Sequence, residues 1–369
     1  MERFSGRSTR PTTKELEGKW RRLERKGWEI KRTRVPKWWR YAPLTILMLL
    51  LSSCIENAPL DSLDPAGPIA RKIDGLWWMV FWIAAVVFVL VQGAILVIAF
   101  VFRDRPGSKE PKQIHGNNKL EVLWTAIPAL ILAGIAVPTV QTIFDLTERP
   151  DNALTIEVIG HQWWFEYVYP EYGITTANIM VIPAGMPVEL QLTSEDVLHN
   201  FWVPQLAGKR YLVTGQETYL NLEADEPGEY WGQCAEFCGL SHALMRARVV
   251  ALDDAGFEQW VAGQQQDAVE PAEDSPAHDG QEVFLNAGCT RCHIIEGVWE
   301  DVARKPPAPN LTHLASRDYF AGASFDLDTA HLREWLANPP AMKDGTAMPN
   351  LRLTDDEITA LVAYLETLE

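Results

Sequence analysis

Cysteine is scarce in this sequence, with five among 369 residues. Each cysteine stands in a recognisable chemical setting, and none is left over for a structural disulfide. This excludes a small exported scaffold that is held together by disulfide bridges. A chain of this length is instead expected to fold as two or three domains.

Basic residues are few over most of the chain. Lys and Arg number 33 against 49 Asp and Glu, which gives a formal net charge of −16. Residues 1–53 hold 14 of the basic and 5 of the acidic residues, which leaves 19 and 44 for the remainder. Such an acidic remainder argues against nucleic-acid binding and favours a basic soluble partner or an exported, soluble domain.

The basic amino-terminal segment precedes a short apolar run, APLTILMLLLSS at 42–53. This order is typical of a secretory signal, so we predict a leader and signal peptide at 1–53 and an extracytoplasmic spacer at 54–75. The stretch LSSC that ends at Cys54 resembles a bacterial lipobox, which implies cleavage before Cys54 and a lipid on its sulfur. The alternative is a plain signal or an uncleaved anchor in which Cys54 is incidental.

Two long apolar runs follow, at 76–102 and 122–144. Each is long enough as a helix to span a bilayer. The loop between them carries five basic residues, which predicts that it is cytoplasmic. We therefore predict a transmembrane helical hairpin at 76–145 with the rest of the chain outside the cytoplasm. A buried hairpin in a soluble core is the alternative.

Residues 146–254 change character, because apolar and polar residues alternate in LTIEVIG, MPVELQL and TYLNLEA. Turn sequences such as Pro-Ala-Gly at 183–185 and Glu-Pro-Gly at 226–228 separate these segments. Short alternating strands with such spacing predict a β-sandwich.

One segment of this region, QCAEFCGLSHALM at 233–245, holds four soft or borderline metal ligands in the pattern C-x-x-x-C-x-x-x-H-x-x-M. A further candidate, His199, lies upstream in DVLHNFWVP. Two thiolates, two imidazoles and a thioether favour copper over hard cations. Taken singly, Cys234 and Cys238 are also compatible with a disulfide or a zinc site, and Met245 with a core position.

Together these two segments closely resemble subunit II of haem–copper cytochrome c oxidases. The resemblance implies a cupredoxin-like Greek-key β-sandwich that carries a binuclear copper centre, CuA. It implies that two cysteines bridge the coppers, that two histidines cap them, that a methionine is a weak ligand and that a glutamate gives its carbonyl. The implied ligands are His199, Cys234, Glu236, Cys238, His242 and Met245.

The resemblance also implies three further roles. The Glu236 side chain would reach a magnesium ion shared with subunit I. Trp163, in GHQWWFEY, would be exposed above the copper and accept electrons from cytochrome c. Glu121, at the cytoplasmic start of the second span, would lie at the mouth of a proton pathway into subunit I; its alternative is a first-turn helix acid.

A second redox motif, C-x-x-C-H, is formed by Cys289, Cys292 and His293. It is the attachment motif of a c-type haem, with the histidine as proximal iron ligand. A thioredoxin-like dithiol is the alternative, but it does not call for the histidine. Methionine is a common sixth ligand, and Met348 in GTAMPN matches the cytochrome c pattern of Met before Pro, with Met342 as competitor. Residues 275–369 therefore resemble a small all-α cytochrome c domain.

Other histidines of this region, His313 and His331, are weaker candidates for the sixth iron ligand and are expected at the surface. Residues 255–274, rich in Ala, Gly, Gln and acidic residues, predict a flexible linker between the copper and haem domains. In the last segment, DDEITALVAYLETL, apolar residues fall on one helical face.

The whole resembles the second subunit of a caa-type cytochrome c oxidase in a bacterial cell membrane. The resemblance implies that electrons pass from haem c through CuA to haem a of subunit I, where dioxygen is reduced to water and protons are translocated. Subunits I and III and a cytochrome c or bc complex are the implied partners. The alternatives are the copper subunit of another haem–copper reductase, such as a nitric oxide reductase, and a membrane-tethered copper-binding protein without a turnover role.

Overall fold

The computed structural model describes residues 41–51, 58–104, 106–107, 110, 113–299 and 307–369. Met1–Ala58 and Pro59–Glu369 form two compact units. Within the first unit, helix α1 is Ala42–Leu51. Cys54 and residues 1–40 lie outside the described residues.

Two long apolar helices open the second unit. Helix α2 is Pro68–Val101 and helix α3 is Asn118–Thr147, and both are long and apolar enough to cross a membrane by length and composition. Helix α2 begins earlier than the apolar run, inside the predicted spacer, because Pro68 at the first helical position fits the required backbone angle. Asn117 caps α3 by accepting hydrogen bonds from the backbone N–H groups of Lys119 and Leu120.

The ends of these helices are attached to the β-domain. Arg71 of α2 forms an ion pair with Asp225, and the backbone N–H of Ala66 donates to the carbonyl of Gln205 at 2.8 Å. The Asn221 side-chain amide donates to the carbonyl of Glu148 at 2.7 Å. These contacts fix the β-domain against the same end of both helices.

Ten strands of the described residues form two five-stranded sheets. Ile156, Leu190, Phe201 and Val249 are fully buried in the apolar core of this β-domain, as the alternating pattern predicts. The cupredoxin-like β-sandwich is confirmed. The strands are β1 Leu154–His161, β2 Trp164–Tyr169, β3 Ile174–Ala177, β4 Ile179–Pro183, β5 Val188–Ser194, β6 His199–Trp202, β7 Lys209–Leu212, β8 Thr218–Leu222, β9 Gly228–Cys234 and β10 Arg246–Leu252. Their spatial order is β3-β2-β1-β5-β8 in one sheet and β4-β10-β9-β6-β7 in the other.

The stretch predicted as a flexible linker begins with a helix instead, α4 at Asp254–Gln264. Asp253 caps it by accepting a hydrogen bond from the N–H of Gly256. Phe257 and Trp260 stack on each other, and Trp260 also lies 5.1 Å, between ring centroids, from Tyr169 of the sandwich. Aromatic burial against the sandwich therefore orders residues whose composition alone favours flexibility.

The carboxy-terminal domain is mainly helical, as predicted. Gly280 allows the first of its helices to approach the backbone of Ala360 in the last one, since a Cβ atom at this position would overlap the Ala360 carbonyl. Thr354 and Glu357 form a capping box at the start of the last helix. The elements are α5 Pro276–Asn286, β11 Tyr319–Phe320, β12 Phe325–Asp326, α6 Thr329–Ala337, α7 Pro339–Met342 and α8 Asp355–Leu365.

Candidate metal centre and haem site

The candidate copper ligands converge at one end of the sandwich. Strands β9 and β10 are antiparallel neighbours, and the loop between them starts after Cys234 and ends at Met245. The N–H of Cys234 donates to the carbonyl of Met245 at 2.8 Å, which closes the loop. His199 joins from β6, because Phe201, two residues further along that strand, pairs with Cys234 across the sheet.

The sulfur and nitrogen atoms of these residues face one another. The sulfurs of Cys234 and Cys238 lie 3.8 Å apart. The Nδ1 atom of His199 lies 4.0 Å from the Cys234 sulfur, and the Nδ1 atom of His242 lies 3.5 Å from the Cys238 sulfur. Each thiol therefore has its own imidazole, as two metal ions bridged by two sulfurs require.

Two further groups complete the cluster, one beside each sulfur. The Met245 sulfur lies 3.8 Å from that of Cys238, and the Glu236 carbonyl oxygen lies 3.3 Å from that of Cys234. The cysteines are free and their sulfurs are too far apart for a disulfide bond. His199, Cys234, Cys238 and Met245 are all buried, so the donor set fits a soft cation shielded from water.

The thiols influence each other's ionisation. A hydrogen bond with Cys238, followed by one with His199, lowers the pKa of Cys234 despite its burial. The same hydrogen bond, followed by burial and the negative charge of Cys234, raises the pKa of Cys238. Without a cation, ionisation of one thiol disfavours ionisation of the other. A cation between the two sulfurs would stabilise both thiolates at once.

Asp196 orients the histidine that faces Cys234. Its carboxylate accepts from the Nε2 of His199 at 2.7 Å and from the backbone N–H groups of Gln162 and Val197 at 2.6 Å each. Burial by itself lowers the pKa of His199, but hydrogen bonds with Asp196 and Cys234 outweigh it and raise that pKa. The Asp196 contact leaves Nδ1 as the ring nitrogen that faces the sulfurs, which is a common arrangement for metal-binding histidines.

Trp163 lies beside this cluster but is not exposed, contrary to the expectation. Only 6% of its surface is accessible. Its indole N–H donates to the carbonyl of Cys238 at 3.0 Å. The carboxy-terminal domain covers the ring: a Cβ atom on Gly345 would lie 2.7 Å from it. The sequence could not show this, because the covering residues lie about 180 positions away.

In the carboxy-terminal domain, the C-x-x-C-H residues begin with a 3₁₀ turn, Cys289–Arg291, which follows Gly288 at a φ of 90°. The Nδ1 of His293 donates to the carbonyl of Pro309 at 2.8 Å, which leaves Nε2 as the ring nitrogen available to a metal ion. Burial lowers the pKa of His293 although this hydrogen bond opposes the shift. A neutral imidazole with a fixed tautomer is the form that binds iron.

Met348 packs against the apolar core of this domain, and its sulfur accepts a hydrogen bond from the Trp335 indole at 3.1 Å. Met342, the competitor, ends helix α7. His313 is buried, contrary to the expectation of a surface position, and its Nδ1 lies 2.7 Å from a carbonyl oxygen of Glu369. His331 is partly exposed and pairs with Asp328 at 2.8 Å. Both histidines therefore have a ring nitrogen engaged within the domain.

Three parts of the chain match known families. Residues 57–142 match the transmembrane domain of cytochrome c oxidase subunit II, residues 173–252 match its periplasmic domain, and residues 277–369 match cytochrome c. Cytochrome c oxidase subunit 2 of Alkalihalophilus pseudofirmus is 36% identical over 338 residues, which is 89% of this chain and 97% of that protein. The chain belongs to the cytochrome c oxidase subunit II family.

Another relative of this subunit is cytochrome c oxidase subunit 2 of Bacillus sp. strain PS3, which is 34% identical over 90% of this chain and 98% of that protein. Among solved structures, the periplasmic domain of cytochrome oxidase subunit II of Bradyrhizobium japonicum is 29% identical, with a TM-score of 0.31. The match covers 31% of this chain and 96% of the Bradyrhizobium japonicum chain. The family matches and the curated relatives show that the subunit is an electron-transfer component of a haem–copper oxidase, and the matched families imply copper and haem c.

A buried arginine of the haem domain, Arg317, belongs to no motif that the sequence displays. Arg317 donates from Nη2 to the carbonyl of Asn310 at 2.8 Å, while Nε and Nη1 have no acceptor among the residues the structure describes. Burial lowers the pKa of Arg317 to about 10, and its charge helps to lower that of His293. Unsatisfied buried donors close to the C-x-x-C-H histidine fit a cofactor that carries carboxylates, as haem does.

A buried lysine was also missed. Lys343 follows α7, is 3% exposed, and connects the two domains of the subunit through its side chain. Burial lowers the pKa of Lys343 to about 7. Nothing in the sequence around Lys343 distinguishes it from a surface lysine.

The remaining predicted residues lie apart from these sites. Glu121 is exposed in the first turn of α3, where its carboxylate accepts from the backbone N–H of Asn117 at 3.3 Å. The Glu236 side chain is half-buried in the loop between β9 and β10. Cys54, the predicted lipidation site, lies outside the described residues.

Proposed function

We propose that this subunit receives electrons at a covalent haem c and delivers them through a binuclear copper centre to haem a of subunit I, for reduction of dioxygen to water with proton translocation. The haem and the copper pair supply the one-electron chemistry. Cys289, Cys292, His293 and Met348 would hold the haem. The copper ligands would be His199, Cys234, Glu236, Cys238, His242 and Met245.

One observation supports this proposal above the others: Trp163 contacts both domains. Its indole N–H is bonded to the carbonyl of Cys238, a candidate copper ligand, at 3.0 Å. Its carbonyl accepts from Lys343 of the haem domain at 2.6 Å. A single residue thus connects the candidate copper site to the haem domain by hydrogen bonds.

The copper ligands are prepared by the protein around them. Asp196 orients His199, and the cross-strand hydrogen bond between Cys234 and Met245 fixes both ends of the loop. Gly160 leaves room for the His199 ring, since a Cβ atom there would lie 2.8 Å from it. A buried and preorganised ligand set excludes water and limits rearrangement when an electron arrives.

The position of Trp163 suggests where the external donor docks. Because the haem domain covers this tryptophan, a soluble cytochrome c has no direct access to it. The donor, a cytochrome c or bc complex, would instead reduce the haem of the fused domain. Fusion gives the subsequent haem-to-copper step a high effective concentration.

The remaining roles follow from family resemblance and membrane topology. Helices α2 and α3 would dock against subunits I and III in a bacterial cell membrane, with both redox domains outside. The Glu236 side chain would bind a magnesium ion shared with subunit I, and Glu121 would lie at a proton-path entrance. Cys54 would carry a lipid after signal cleavage.

Metal analysis and rapid mixing test the proposal together. The purified subunit should contain two coppers and one iron, and a single copper would contradict the binuclear assignment. After reduction of the haem in the holoprotein, absorption changes of the iron and copper should be coupled in time. Loss of an electron from iron without its arrival at copper would rule out the path. Co-purified partner haems would distinguish an oxidase from another haem–copper reductase.

A further inference from the structure

The interface between the sandwich and the haem domain is rich in hydrogen bonds. The N–H of Arg246 donates to the carbonyl of Gly322 at 2.8 Å, and the N–H of Gly322 donates to the Asn178 side chain at 2.9 Å. The Ser241 hydroxyl donates to the carbonyl of Asp344 at 2.6 Å. The two domains are therefore joined at the copper end of the sandwich, next to the loop that begins at Cys234.

Lys343 lies within this network. Its ammonium group donates to the carbonyl of Trp163 at 2.6 Å, to that of Leu244 at 3.0 Å and to that of Ala321 at 2.6 Å. The first two acceptors belong to the sandwich and the third belongs to the haem domain. Only the charged amine has three N–H donors, so all three carbonyls receive a hydrogen bond at once only when the amine is protonated.

The sandwich acceptors of Lys343 belong to the candidate electron path. Trp163 is bonded to the Cys238 carbonyl through its indole. Leu244 directly precedes the candidate copper ligand Met245. In the part of the chain that the structure describes, no carboxylate forms an ion pair with Lys343. The positive charge is therefore compensated by carbonyl dipoles and is not cancelled by an opposite charge.

We propose that Lys343 is a positioning residue for electron transfer: its ammonium holds Trp163 and Leu244 against the haem domain and, in its protonated form, places a positive charge beside the copper cluster. The inference rests on the proposed function. The charge favours the reduced form of the copper centre, because reduction adds negative charge in a poorly solvated region. Lys343 thereby raises the copper potential and maintains the distance across which the electron moves.

A second cation at the interface contributes to docking in another way. The Arg248 guanidinium lies between two rings, 3.4 Å from the centroid of Trp231 in the sandwich and 4.8 Å from that of Tyr319 in the haem domain. Glu229 lies 3.2 Å from its Nε. Arg248 therefore stabilises the contact between the two domains through its two aromatic faces. Its charge, unlike that of Lys343, is compensated by a carboxylate.

The test uses the metal-loaded, full-length subunit with Lys343→Met, which keeps the side-chain length and removes the charge and all three donors. Lys343→Arg keeps the charge. Arg352→Met, at an exposed position of the same domain, controls for loss of a charge. The readouts are hydrogen exchange at the Arg246 and Gly322 amides, the copper midpoint potential, and the haem-to-copper transfer rate.

In Lys343→Met, exchange at both interface amides should accelerate by about tenfold or more, as expected when hydrogen bonds from a charged group are lost. The copper potential should fall, and electron transfer should slow by about tenfold or more, since small misplacements of reacting groups are costly. Lys343→Arg should retain the wild-type potential, and Arg352→Met should match wild type in all three readouts.

Wild-type potential, exchange and transfer rate in Lys343→Met would overturn the inference and leave the proposed function intact. A lowered potential in Lys343→Arg would also overturn it. Absence of haem-to-copper transfer in the wild-type subunit would refute the proposed function itself. If Lys343→Met does not retain haem and copper, Lys343→Gln, which removes the charge but keeps two donors, is measured with the same expected direction.

Discussion

The indole nitrogen of Trp163 lies 3.0 Å from the carbonyl oxygen of Cys238 and donates a hydrogen bond to it. This bond joins a residue beneath the haem domain to the loop that gathers the copper ligands. The side chain of Gln162 donates to the same carbonyl at 2.6 Å. The carbonyl of Cys238 is therefore fully occupied, and the orientation of the loop depends on the position of the tryptophan.

Trp163→Phe should lower the free energy of unfolding by about 1–3 kcal/mol, because the Cys238 carbonyl loses one of its two donors and the smaller ring leaves space. Haem-to-copper transfer should slow as well. Trp164→Phe is the matched control: this neighbouring ring is also buried but stacks on His161 at 4.2 Å between centroids. Thermal unfolding and flash-induced kinetics check both variants. Equal transfer rates in the two would show that Trp163 has no special part in the path.

Gly345→Ala should weaken domain docking. Gly345 has a φ of 77°, and its added Cβ would lie 2.7 Å from the Trp163 ring. Gly185→Ala introduces the same backbone strain at a φ of 72°, but its Cβ would meet nothing within 4 Å. Strain should cost about 1–2 kcal/mol in both variants, and overpacking about 1–3 kcal/mol more in Gly345→Ala alone. Unfolding by urea with haem absorbance as the probe measures the difference, and its absence would contradict the close contact.

Met348→Ala should abolish the spectrum of a methionine-ligated low-spin haem and lower the haem potential, because methionine ligation raises it. Met342→Ala is the matched control and should leave both unchanged, since Met342 merely ends α7. Absorption spectra and redox titration of the two variants decide between the methionines. The opposite pattern would reassign the ligand to Met342.

Asp196→Ala should weaken copper binding by about 10–100-fold, the effect expected when a carboxylate that orients a metal-binding histidine is removed. Asp196→Asn keeps an acceptor oxygen for the Nε2 of His199, so its copper affinity should fall less than that of Asp196→Ala. Competition with a copper chelator measures both affinities. Equal losses would show that the charge of Asp196, and not its orientation of His199, determines copper affinity.

Much of the architecture follows from local sequence. The four-residue spacing of Cys234, Cys238 and His242 fits a compact loop, and a C-x-x-C-H motif is specific for haem attachment. Alternation predicts the sandwich strands, and two apolar runs predict the long helices. These features depend on residues close in sequence, so their physical cause can be recognised without coordinates. The helix at Asp254–Gln264 could not be recognised in this way, because its Phe257 and Trp260 pack beside the ring of Tyr169, which is distant in sequence.

The amino-acid sequence by itself determined which chemical groups are present and in what order: soft ligands, a haem-attachment motif and two membrane-length helices. Tertiary structure alone decided that Trp163 is covered and that Lys343 donates to its carbonyl. The reason is that burial and hydrogen bonding at a domain interface depend on surfaces far apart along the chain. The residues next to Lys343 in sequence do not indicate that its side chain donates hydrogen bonds to three carbonyls.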